Sequence, residues 1–289
     1  LLFTTPNAEK YISGVILFEE TLRQKSLDGV AFPQLLSGKG ILPGIKVDKG
    51  AKSLAGFSGE KITEGLDGLR ERLTAYGDLG ATFAKWRAVI TIGKEIPSQF
   101  CIDANAHALA RYAVLCQEAG LVPIVEPEVL MDGPHDIQRC QDVTAANLKG
   151  VFTALFEHCV LLEGMLLKPN MVLSGTECPK QAGVEEVAER TVRTFRQVVP
   201  AAVPGIVFLS GGQSSVLATE HLNAMNALGK PPWELSFSYG RALQEHALKA
   251  WQGRADAVTA AQRVFHHRAS CNGAARYGEY NKAMEEKAA

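Results

Sequence analysis

Short apolar, β-rich runs alternate along this chain with longer amphipathic ones, and that alternation constrains the fold more than any other feature. The strand-like runs are SGVILF (13–18), GIKVD (44–48), TFAKWRAVI (82–90), LVPIVEPEV (121–129), MLLKP (165–169), GIVFLSG (205–211) and LSFSYG (235–240). Their starts lie roughly 30 to 45 residues apart. Helical patterns fill the intervals. ITEGLDGLRERLTAYGDLG places Leu66, Leu69 and Leu73 on one face and stops near Gly77 and Gly80; NAHALARYAVLCQEAG ends at Gly120; VEEVAERTVRTFRQVVP ends at Pro200. Each combines three-to-four apolar spacing with a Gly or Pro terminator.

Nearly continuous apolar strands alternating with helices predict a parallel sheet covered by helices. The spacing is regular and no flexible linker divides the 289 residues, so one closed barrel is preferred to two domains. A TIM-type (β/α)8 barrel needs eight strands, and seven are read here. The residues before Ser13 are too few for another strand and its helix, and the chain opens with Leu1-Leu2 rather than Met. The expectation is a single domain over 1–289 with the first βα unit missing from this chain. Residues 251–289 read as appended C-terminal helices and a mobile tail.

Composition narrows the function classes. A hydrophobic fraction of 46% with 21% charged residues suits a substantial core. The net charge of −1 gives no pull toward nucleic acid or an anionic membrane, so any anion site must be local. No apolar run reaches transmembrane length and the N-terminus lacks the pattern of a signal peptide, which predicts a cytoplasmic protein. The six cysteines form no CxxC pair and read as reduced, mostly buried thiols, with Cys178 on a loop. The seven histidines show no HExxH spacing, so no metal site is expected.

Charges gather where strands end. Alternation puts residues i and i+2 on one face, so Lys46 with Asp48, Lys85 with Arg87, Glu126 with Glu128, and Lys168 with Leu166 and Asn170 each share one. Singly, such pairs read as solvated rims, and Lys46 and Asp48 as partners of each other. Four strands doing the same at the C-terminal end of a parallel barrel, where active sites are built, read as one pocket. Lys168 differs from the rest: apolar residues precede it and Pro169 follows. An amine, a second cation that lowers its pKa, and carboxylates for proton transfer are the parts of imine chemistry.

Two motifs follow the last strands. FLSGGQSS places Ser210, Gly211 and Gly212 after one strand, and SFSYGRALQ places Ser238, Gly240 and Arg241 after the next, entering a helix. Glycines admit backbone N–H groups close to an anion, and a helix N-terminus favours one. In barrels of this kind phosphate sites follow strands seven and eight.

The segments ISGVILFEETLRQK, GIKVDKG, TEGLDGLRER, FAKWRAVI, LVPIVEPE, LLKPNM, FLSGGQS and LSFSYGRALQ together resemble the class I fructose-1,6-bisphosphate aldolases, bacterial members more than animal ones. The match runs in order from about Tyr11 to about Tyr277. The resemblance implies reversible cleavage of fructose 1,6-bisphosphate to dihydroxyacetone phosphate and glyceraldehyde 3-phosphate, with no metal and no cofactor. It implies Lys168 as the Schiff-base lysine, Glu126 as the proton shuttle, Glu128 as a second acid and Lys85 as the cation beside the imine. Ser210, Gly211, Gly240 and Arg241, with Ser238 beside them, would bind the 1-phosphate; Lys46 and Arg87 would lie near the second phosphate. Sugar phosphates are the implied partners and a homotetramer the implied assembly. Two departures stand out: the family's first strand, with an Ala-Asp-Glu-Ser-like motif, is absent, as is the C-terminal tyrosine of animal members. They keep open an alternative, a catalytically impaired, truncated aldolase that binds sugar phosphates or protein partners without turnover. A lysine-imine aldolase for a related phosphorylated ketose is a further reading.

Overall fold

The computed structural model describes residues 1–288. Among them the strands are β1 (Gly14–Leu17), β2 (Leu42–Lys46), β3 (Ala51–Ser53), β4 (Lys61–Thr63), β5 (Phe83–Ile90), β6 (Val122–Val129), β7 (Leu166–Leu167), β8 (Gly205–Phe208) and β9 (Glu234–Phe237). The α-helices are α1 (Glu19–Arg23), α2 (Phe32–Ser37), α3 (Leu69–Asp78), α4 (Gln99–Glu118), α5 (Ile137–Glu157), α6 (Val184–Val198), α7 (Ser215–Ala227), α8 (Arg241–Trp251) and α9 (Val258–Arg276). No helix among the described residues is long and apolar enough to cross a membrane.

The seven strands read from the sequence form one curled parallel sheet in the order β1-β2-β5-β6-β7-β8-β9. Parallel neighbours need a crossover, and helices supply it. β5 and β6 show why the sequence folds this way. Only Arg87 of β5 and Val122 of β6 escape full burial, because both faces of each strand are covered. On the outer face Trp86 packs on Tyr112 of α4, ring centroids 5.7 Å apart, and the Tyr112 hydroxyl donates to the Ile124 carbonyl. That leaves Lys85, Arg87, Glu126 and Glu128 on the inner face. The register sets Lys46 beside Lys85 and Arg87 beside Glu126.

The two edge strands, β1 and β9, do not pair with each other among the described residues. A cavity of about 280 Å³ lies between them and the strand ends, walled by residues of both.

Three local features differ from the sequence reading. β7 is two residues long instead of the expected five; the Lys168 N–H still donates to the Val125 carbonyl at 2.8 Å, but Pro169 has no N–H and the ladder stops. Residues 62–63, read as the start of a helix, belong to an antiparallel hairpin of β3 and β4, and the helix begins at Leu69. The segment read as appended helices and a mobile tail does carry a helix, α9, but that helix is packed into the body, burying Phe265, Arg268, Ala269, Cys271, Asn272 and Ala275. Arg268 donates to Thr219 of α7, and Gln262 donates to the Leu1 carbonyl, so this helix is built into the body at both ends of the chain. Ala289, the last residue of that segment, lies outside the described residues. The six thiols are unpaired; four are buried, Cys178 is half-buried and Cys159 is exposed.

Candidate active site

Lys168 leaves the end of β7 with its side chain almost wholly enclosed. Its Nζ lies 3.2 Å from Glu126 Oε1, and the other oxygen of that carboxylate lies 2.8 Å from Lys85 Nζ. One buried carboxylate therefore bridges two buried amines. Burial pulls the Lys168 amine below the ordinary lysine range; the Glu126 charge opposes this, and the neighbouring Lys85 charge adds to it.

Asp48 closes the cluster from just past the end of β2. One of its oxygens lies 2.7 Å from Lys46 Nζ, and the other lies 3.8 Å from Lys85 Nζ and accepts from the Arg87 N–H. Arg87 is ion-paired with Glu128. Burial works against the Arg87 charge, yet the Glu128 bond and the nearby carboxylates hold its pKa above the usual value. Lys46 sits in register with Lys85 and faces the Phe18 ring at 5.7 Å.

The structure thus brings Lys46, Lys85, Arg87, Glu126, Glu128 and Lys168 to one strand-end cluster. Ser238 and Gly240, just past β9, line the same cavity as Lys46, Lys85 and Lys168. Ser210 and Gly211 follow β8, the strand paired with β9, and the Ser238 N–H donates to the Phe208 carbonyl. Gly211 has a φ of +60° and Gly212 of +93°, a left-handed turn that suits glycine. Arg241 opens α8 and is exposed beside Gln244 and Glu245, outside the cavity wall. Asn170 does not share Lys168's face: past the end of β7 it turns away, accepting from the Val129 N–H and donating to Thr144 of α5.

Asp48 was legible as a member of the strand-end group and a partner for Lys46, but with no role of its own; its reach to Lys85 and Arg87 depends on pairing between β2 and β5. Phe265 of α9, a wall of the same cavity, carries no local signal at all.

A family model described as glycolytic fructose-bisphosphate aldolase class-I matches residues 1–289. The chain belongs to the class I fructose-bisphosphate aldolases. Its reaction is the reversible, metal-independent aldol cleavage of fructose 1,6-bisphosphate through a lysine Schiff base. A probable fructose-bisphosphate aldolase class 1 of Xanthomonas campestris pv. campestris is 60% identical over 281 residues, covering 97% of this chain and 84% of that protein. Fructose-bisphosphate aldolase 6, cytosolic, of Arabidopsis thaliana is 59% identical, with 97% of this chain and 78% of that protein covered. Among solved structures, fructose-bisphosphate aldolase of Plasmodium falciparum, crystallised with TRAP and a small-molecule inhibitor, superposes with a TM-score of 0.96. It is 53% identical, and the match covers 97% of this chain and 81% of that one. The strand-end cluster holds one amine, that of Lys168, that is enclosed, lines the cavity and is depressed in pKa by burial.

Proposed function

We propose that Lys168 is the lysine that forms the imine with C2 of the ketose. The observation that carries this is its enclosed amine, 3.2 Å from Glu126 and depressed in pKa by burial. In its neutral form the amine attacks the carbonyl. Glu126, within reach of that nitrogen, carries protons as the carbinolamine forms and loses water. The resulting iminium draws electrons from the C3–C4 bond as the C4 hydroxyl passes its proton to the Glu126 carboxylate, releasing the aldehyde and leaving an enamine on the lysine. Reprotonation at C3 and hydrolysis then return the free amine. Lys85 keeps the site cationic while negative charge develops, and Glu128 holds Arg87 in place.

The substrate's two phosphates give the remaining charges their roles. Ser210, Gly211, Ser238, Gly240 and Arg241 take the 1-phosphate. Gly240 at the N-cap of α8 offers no side-chain cap, so the N–H groups of Arg241 and Ala242 are free for an anion. Lys46 and Arg87 take the second phosphate. Residues 1–289 act as one barrel domain in which α9 serves as a wall of the site. The chain assembles as a homotetramer in the cytoplasm, a location supported by relatives named cytosolic and cytoplasmic.

Lys168→Arg tests the assignment. Arginine keeps the charge and much of the volume but forms no imine. Cleavage of fructose 1,6-bisphosphate should fall below detection in a protein that melts as a folded one. Retained turnover would overturn the role given to Lys168.

A further inference from the structure

The Ser210–Gly212 turn has to hold two consecutive residues at positive φ, a conformation that a flexible loop populates only in part. The residue that follows it is buried. Gln213 donates to the Ser210 carbonyl twice, from its backbone N–H and from its side-chain Nε2, each at 3.0 Å. A carbonyl only accepts, so Nε2 is the end of the amide that faces Ser210. The amide oxygen is thereby turned toward α7, where it lies 2.6 Å from Nδ1 of His221. An amide oxygen also only accepts, so His221 must carry its proton on Nδ1. Burial holds the His221 pKa down to about 4, with Glu185 pulling the other way, and the ring stays neutral through the physiological range. The donor is therefore permanent. Among the described residues the N–H groups of Gly211 and Gly212 donate to no other protein group.

We infer that His221 and Gln213 are positioning residues for phosphate binding: the imidazole orients the glutamine amide, and the amide pins the Ser210 carbonyl so that the turn presents its free N–H groups to the anion. Neither side chain lines the cavity that holds Lys168. The inference rests on the reading that this turn takes a substrate phosphate. His221 stands in α7, eight residues beyond Gln213, and only the fold brings the two together.

The test compares His221→Leu, His221→Asn, Gln213→Met and the double variant His221→Leu/Gln213→Met. Each is checked for a folded thermal transition and assayed for KM and kcat with fructose 1,6-bisphosphate. Loss of one orienting hydrogen bond should raise KM roughly three- to tenfold in His221→Leu and in Gln213→Met, with kcat within about twofold of the parent. His221→Asn keeps an N–H donor and should recover most of the affinity. The double variant should be no worse than Gln213→Met alone, because both act along one path. If His221→Leu fails to fold, Gln213→Met carries the same contrast. An unchanged KM in either folded variant, an equal rise in the Leu and Asn variants, or a fall in kcat with KM unchanged would overturn the inference. Ser210→Ala separates it from the reading beneath it. If that variant also leaves KM unchanged, the phosphate assignment of the turn has failed; if it raises KM while His221→Leu does not, only the positioning role has failed.

Discussion

At the scale of single residues, burial and charged neighbours decide whether the amine of Lys168 carries a proton. Burial disfavours the ammonium form of Lys168, Glu126 favours it, and Lys85 disfavours it again. Lys85→Met would remove the like charge and leave Glu126 with one amine to pair with instead of two. Both changes raise the Lys168 pKa. With the neutral amine as the proposed nucleophile, the rising limb of kcat/KM against pH should move to higher pH, and activity near neutrality should fall. A limb that stays in place or moves toward acid would contradict the charge balance described here. Much of this was legible in the sequence: apolar residues before Lys168 and a proline after it marked a strand that delivers an amine and stops. The sharing of Glu126 by two lysines was not, because it depends on the register of β5 and β6 and on the distance across to β7. Asn170 was misread onto the same face because the alternation rule was carried past Pro169, where no strand remains.

At the scale of elements, the hairpin of β3 and β4 is the part that composition and periodicity hid. Strands of three residues are too short to show alternation, and the turn glycines between them signal only a loop. The eight-residue strands β5 and β6, by contrast, fall within a residue of their expected bounds. The hairpin is tied to the barrel by polar bonds. The buried Glu60 carboxylate accepts from both the Ser98 N–H and its hydroxyl at 2.6 Å, and Ser98 caps α4. Thr63 donates to the Arg87 carbonyl at 2.7 Å, at the level of the strand-end cluster. Glu60→Ala should leave the Ser98 N–H without its acceptor and cost about 1–3 kcal/mol, read as a lower urea midpoint with an unchanged m-value. Lys168 should remain competent for imine formation in this variant. A midpoint equal to that of the parent would mean the hairpin is held by other contacts.

At the scale of the whole molecule, the parallel sheet was legible because every strand is apolar and every interval is long enough for a crossover. The burial of α9 was not, because its buried positions are mostly small residues, such as Ala261, Ala269 and Ala275, and polar ones, Arg268 and Asn272. Arg268 joins Thr219 of α7 to Glu285 of the C-terminal segment, and Tyr280 donates to the same carboxylate. Burial alone would raise the Glu285 pKa, but the bonds from Tyr280 and Arg268 hold it below the ordinary carboxylate value. Its contribution is thus complete above the unfolded pKa and is lost as pH falls through the lower folded one. Glu285→Gln should lower stability near neutrality by roughly 1–3 kcal/mol, less than for a fully enclosed pair because Glu285 remains partly exposed. The same change should flatten the acid side of the stability profile; an unaltered profile would show that the pair contributes nothing there. The most direct test of the central claim is borohydride reduction in the presence of fructose 1,6-bisphosphate, with the modified peptide identified by mass and cleavage assayed on the same preparation. A single ketose-derived adduct on Lys168 is expected, in a protein that turns over. An adduct on Lys85 or Lys46, or none in a folded protein, would contradict it.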